Sequence, residues 1–136
     1  MENLITELKK EHEILLNLLE RLKTTKIGSG EWNDEIKSVE NTFLFHLKHE
    51  DKNLYLVLSE ASFNNSQLKT TLNIFAKDMD DISKEAVEFF KETALNKEGK
   101  DLIKSFAHFY TRIKLKIRRE ENILYPEFEK CKAKNT

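Results

Sequence analysis

The chain has 136 residues, enough for one domain whose core needs neither disulfides nor a structural metal. It is 35% charged and 39% hydrophobic with only three glycines and one proline, a scarcity of turn formers that favours long helices over many short strands. Lys plus Arg number 23 against 24 for Asp plus Glu, a balance that exerts no net pull toward nucleic acid or an anionic membrane.

In MENLITELKKEHEILL charges interrupt every apolar run, so the opening segment lacks the apolar region of a signal peptide. No stretch of the chain approaches the roughly 18 apolar residues of a membrane span, and the expectation is a cytoplasmic protein. Residues 4–26 carry Ile5, Leu8, Leu15, Leu19 and Leu22, a three-then-four stepping that marks one helical face turned to a core. IGSGEWND breaks this pattern, and a second helix is expected from near Trp32 or Asn33. Its seam runs through Ile36, Val39 and Phe43 and resumes at Leu54 and Val57, until SFNNSQ supplies a turn.

The third helix is predicted over 66–95, with Leu68, Leu72, Phe75, Ile82, Ala86 and Phe89 on its face, closed by NKEG with Gly99 as the C-terminal stop. A fourth, over 100–130, turns Leu102, Phe106, Phe109, Ile113, Leu124 and Phe128 inward, and Pro126 is expected to kink or end it. Four amphipathic helices joined by short loops predict an all-α, up-down-up-down antiparallel four-helix bundle, a single domain over residues 1–136. The single Cys131 excludes an internal disulfide and a thiolate metal cluster, and its lysine-rich surroundings predict an incidental exposed thiol.

The informative positions are those where a seam lands on a residue that does not belong in oil. Between Leu8 and Leu15 it meets His12; after Phe43 it meets His46 and Glu50; after Ile113 it meets Lys116 and Glu120. In the third helix Met79 falls between Phe75 and Ile82. A residue and its i+4 neighbour lie one turn apart on one face, so His46 and Glu50 can direct a nitrogen and an oxygen at the same point. Buried carboxylates require counter-charge, and Fe, Mn or Zn bound by imidazole and carboxylate in a bundle core would supply it. A lone histidine on a seam is more often a hydrogen-bonded core residue than a ligand, and long Lys or Glu side chains at a seam edge reach solvent; the repeated i,i+4 pairs weigh against that plainer reading.

The segment HLKHEDKNLYL, residues 46–56, returns as KIRREENILYP, residues 116–126, with Lys116 in place of the leading histidine. Together with LKKEH, Leu8 to His12, the doubled phrase resembles the hemerythrin-like, or HHE cation-binding, domains over nearly the whole chain. The resemblance implies a four-helix bundle around a two-iron centre bridged by carboxylates and capped by histidines. Carried over residue by residue, it marks His12, His46, Glu50 and Glu120 as metal ligands. It also marks two departures: Lys116 heads the helix-four phrase where a histidine is expected, and Met79 occupies the histidine position of the third helix.

A protonated lysine has no lone pair for a metal and repels one, but between Glu50 and Glu120 its ammonium can take the metal's electrostatic role. Three classes of function emerge: a non-haem iron (or single Fe/Zn) site for O2 or NO binding, redox sensing or iron handling; a metal-free interaction or scaffolding bundle held by Lys116; and a di-iron oxidase or peroxidase, the class least compatible with a depleted ligand set. His49 and His108 point about 100° off their seams and are expected at the rim or surface. The basic run RIKLKIRR scatters around its helix and predicts no nucleic-acid stripe, KKEHE and EFEKCKAK read as solvated faces, and no phosphate-binding loop is present.

Overall fold

A computed structural model of the chain describes residues 3–94 and 99–134. Four helical rods pack antiparallel, up-down-up-down, and no strand occurs among the described residues. The first rod is α1 (Leu4–Thr24); the second joins α2 (Gly30–Glu50) to α3 (Leu56–Ala61) through a π-helical turn, Asp51–Tyr55. The third is α4 (Ser66–Ala94), and the fourth joins α5 (Gly99–Arg119) to α6 (Tyr125–Lys134) through a second π-helical turn, Glu120–Leu124.

Short polar side chains start the rods. Asn3 accepts from the Thr6 N–H at 2.8 Å, Ser29 from the Trp32 N–H at 3.1 Å, and Asn65 from the Leu68 N–H at 3.1 Å, each satisfying an amide that the helix itself leaves open. Ser29 therefore begins α2 a turn earlier than Trp32, and Gly28, at φ 83°, makes the tight reversal before it. Residues 95–98, most of the predicted NKEG stop, lie outside the described residues. Gly99 is already part of α5 and so does not serve as the stop.

Both long seams differ from the regular stepping at one place. After Glu50 the buried positions are Leu54 and Leu58, while Val57 is only half-buried, because the π turn inserts an extra residue and rotates the helix beyond it. The fourth rod does the same after Glu120: the Tyr125 N–H reaches back five residues to the Glu120 carbonyl. Pro126, expected to kink or end this helix, sits inside α6; the wide turn ahead of it absorbs the ladder bond its missing N–H cannot make. No proline stands after the first π turn, so the two turns share the glutamate at their start, not the proline at their end.

The core is split in two. One apolar cluster contains Leu15, Leu19, Trp32, Phe43, Phe89 and Phe109, and the other Ile5, Leu8, Leu54, Leu58, Leu124 and Phe128. Cys131 packs half-buried against the second cluster, so the expectation of an incidental exposed thiol is corrected. Between Leu8 of one cluster and Leu15 of the other lies His12, and the corresponding gaps in the second and fourth rods are filled by ionisable side chains.

Candidate metal centre

His12, His46, Glu50, Lys116 and Glu120 form a polar layer across the bundle, and none exposes more than 5% of its surface. α1 supplies His12, α2 supplies His46 and Glu50, α5 supplies Lys116, and the second π turn supplies Glu120. Tyr125, the first residue of α6, closes the layer: its hydroxyl donates to Glu50 Oε2 at 3.1 Å and lies 3.2 Å from His12 Nε2. The two imidazoles meet with ring centroids 4.5 Å apart.

Each histidine is oriented from behind. His12 Nδ1 donates to Glu121 Oε2 at 2.6 Å, and His46 Nδ1 donates to Glu11 Oε1 at 2.7 Å. With Nδ1 engaged by a carboxylate, Nε2 is the atom left to the layer, and in both rings it turns inward: His12 Nε2 lies 3.3 Å from Glu120 Oε1 and His46 Nε2 lies 3.1 Å from Glu50 Oε1. Glu11 also accepts from His49 Nδ1 at 2.6 Å, and His49 Nε2 lies 3.6 Å from Glu7, so a chain of polar side chains runs from the layer to the surface.

Lys116 holds the two glutamates together. Its Nζ donates to Glu120 Oε1 at 2.6 Å and to Glu50 Oε1 at 3.2 Å. Burial opposes a charged amine here, yet the two carboxylates outweigh it and lift the Lys116 pKa above the ordinary lysine value. Burial raises Glu50 as well, but Lys116, Glu120 and His46 together hold it well below the usual carboxylate value. Glu120 goes the other way: burial and the Glu50 charge push it well above that value against the pull of Lys116. His12 is pushed down to about 2 by burial, with the neighbouring His46 and Lys116 adding to the effect. Without a metal the layer thus favours its negative charge on Glu50, holds the Glu120 proton more tightly than an ordinary carboxyl does, and keeps Lys116 charged and His12 neutral.

The donor set fits a metal ion. His12, His46, Glu50 and Glu120 each offer a ligand atom, and these atoms all lie within 4.8 Å of one another. Two of the buried polar atoms, His46 Nε2 and Glu120 Oε2, have no hydrogen-bond partner, which is costly in a core unless something else engages them. Imidazole nitrogen and carboxylate oxygen together suit Fe, Mn or Zn.

The chain matches the family model of the hemerythrin HHE cation binding domain over residues 3–128. It belongs to the hemerythrin HHE cation-binding family. Searches of the curated proteins and of the solved structures return no match.

Within this hemerythrin-like frame all four residues predicted from the sequence come together, and Lys116 joins them. Met79 is half-buried on α4, and α4 adds no carboxylate or imidazole to the group. Its neighbour Asp78 is instead paired with Arg112 and Arg119 at 3.4 and 3.5 Å. Those pairs consume part of the basic run RIKLKIRR, while Lys116 within it is buried. His108 is exposed beside Glu85 and His49 is half-buried at the rim, as their phase implied.

Sequence reasoning missed Glu11, Glu121 and Tyr125. Glu11 lies in KKEHE, read as a solvated face, but only 15% of its side chain is exposed because two histidines of the next rod dock on it. Its signal in the sequence is its place one residue before His12, which gains meaning only once α1 and α2 are paired. None of the helices among the described residues is long and apolar enough to cross a membrane.

Proposed function

We propose that this protein is a non-haem metal-binding domain of the hemerythrin type, with iron as the ion and His12, His46, Glu50 and Glu120 as its ligands. Its task on this reading is binding or sensing O2 or NO, redox sensing or iron handling in the cytoplasm. The observation that carries the reading is the pair of inward Nε2 atoms, each set by a carboxylate on its Nδ1 and each facing a glutamate across the layer.

When bound, such an ion supplies a Lewis-acidic or redox-active centre. The chain's own residues do the rest. Glu121 and Glu11 fix the tautomer and aim of the two imidazoles, Tyr125 fixes Glu50, and the apolar clusters on both sides exclude bulk water from the layer. Elemental analysis of protein expressed with ample iron tests this: the expected result is at least one iron per chain, reduced by Glu50→Ala. A content well under one that the substitution leaves unchanged refutes it.

A second reading has its own support. Lys116 already bridges Glu50 and Glu120 at hydrogen-bonding distance, as a cation would, so the bundle can stand as a metal-free interaction or scaffolding domain. Metal content that stays near zero, in a chain that folds and melts cooperatively without metal, selects this alternative.

A further inference from the structure

We infer that Lys116 fills the place of a second cation, so that this centre takes one metal ion and not two. The inference rests on the metal-binding reading above and fixes the stoichiometry that reading leaves open.

Three observations support it. First, the ammonium lies between the carboxylates and engages one oxygen of each, 3.2 Å from Glu50 Oε1 and 2.6 Å from Glu120 Oε1, which is the bridging duty a metal would otherwise perform. With 5% of its side chain exposed and a carboxylate on each side, it is held inside the layer, not swung out to solvent.

Second, the inward donors are nearly all engaged. Glu50 Oε1 and Glu120 Oε1 are taken by Lys116, and Glu50 Oε2 is taken by the Tyr125 hydroxyl, which also faces His12 Nε2. The atoms left without partners are His46 Nε2 and Glu120 Oε2, one nitrogen and one oxygen. An ion that recruits these two, and then draws in His12 and Glu50, exhausts the group of four; no other His, Cys, Asp or Glu among the described residues joins it. A second ion would have neither an imidazole nor a free carboxylate of its own.

Third, the ammonium repels further positive charge. The layer is closed on both sides by apolar clusters, so the interaction between Lys116 and an added cation is weakly screened. Glu50 and Glu120 are the layer's only carboxylates, and Lys116 already offsets one of them. Even with both ionised, Lys116 and a first divalent ion together exceed their negative charge, and a second ion finds no anion to balance it.

Metal-free full-length protein titrated anaerobically with Fe(II), and separately with Co(II), gives the count. The wild type is expected to saturate at one equivalent. Lys116→His, which removes the charge and adds a donor, is expected to saturate at two, and Lys116→Arg, which keeps the charge, at no more than one. Electron paramagnetic resonance supplies an independent readout: an isolated Fe(III) signal in the oxidised wild type and its loss through coupling in Lys116→His.

A wild type that takes two ions, or a folded Lys116→His that still takes one, overturns the inference. Where Lys116→His fails to give a cooperative melt, the wild-type count alone still decides: one ion supports the inference and two overturn it. No binding by any of these proteins sinks the metal reading itself. Binding by Lys116→His but not by the wild type overturns the one-ion inference and leaves the metal-free reading of the natural chain in force.

Discussion

Replacing Glu120 by Gln should make the fold weaken more steeply in mild acid. The unfolded chain takes up a proton at His12 as pH falls below the ordinary value of 6.5, whereas folded His12, pushed down to about 2 by burial, does not. Stability therefore drops with falling pH by about 1.4 kcal/mol per unit on account of His12. Glu120 acts with the opposite sign: its folded pKa is raised well above 4.5, so above 4.5 the unfolded chain gives up a proton that the folded chain keeps, and lowering the pH favours folding. Above 4.5 and below 6.5 the Glu120 effect opposes the His12 effect, so the wild type should lose less stability than His12 alone dictates. Glu120→Gln removes only the second, and the variant should lose on the order of 2–3 kcal/mol across that window. His12→Gln removes only the first and should gain stability as pH falls. Urea unfolding followed by circular dichroism, in the presence of a chelator so that only protons titrate, measures all three. A Glu120→Gln profile parallel to the wild type would show that the buried layer is not protonated as described.

Other residues give simpler expectations. Glu11→Ala releases His46 Nδ1 and His49 Nδ1 together, and metal affinity measured by chelator competition should fall about 10- to 100-fold with little change in stoichiometry. Tyr125→Phe deletes the hydroxyl that serves Glu50 Oε2 and should destabilise the metal-free protein by about 1 kcal/mol in urea unfolding. Leu58→Ala, at a position with no exposed surface, should cost about 2–5 kcal/mol, whereas Val57→Ala should cost much less; equal losses would contradict the rotation imposed by the first π turn. Adding Met79→His to Lys116→His should raise iron affinity above that of the single variant, and no gain in a properly folded double variant would place Met79 outside reach of the centre.

The fold is readable in the sequence because its signals are local and repeated. Apolar residues at three and four residue steps mark the rods, and the interruptions at His12, His46, Glu50, Lys116 and Glu120 mark the layer, since a seam position keeps its direction whichever residue fills it. Features that depend on neighbouring rods are not readable in this way. Glu11 looks like any charged surface residue until two histidines from α2 reach it, and Glu121 and Tyr125 gain their roles only when His12 of α1 meets the fourth rod. The π turns leave no signature in the stepping before each glutamate, and only the shift from Val57 to Leu58 afterwards discloses the first of them. Pro126 misleads because a proline breaks an ordinary helix, whereas this one is already widened where the proline's missing N–H would matter.

The doubled segment gains a physical meaning from those turns. Glu50 and Glu120 each immediately precede or begin a wide turn, and each lies four residues after the side chain that partners it, His46 in one rod and Lys116 in the other. The two rods thus present the same device, a glutamate at a π turn with an i−4 partner, and differ in what that partner brings. His46 brings a lone pair and invites a cation; Lys116 brings a cation and makes one less necessary. A symmetric pair of imidazoles would leave two buried carboxylates wholly dependent on added metal. With one lysine in the layer, Glu50 and Glu120 are held by its ammonium whether or not an ion is present, so the metal-free bundle does not leave both carboxylates without counter-charge.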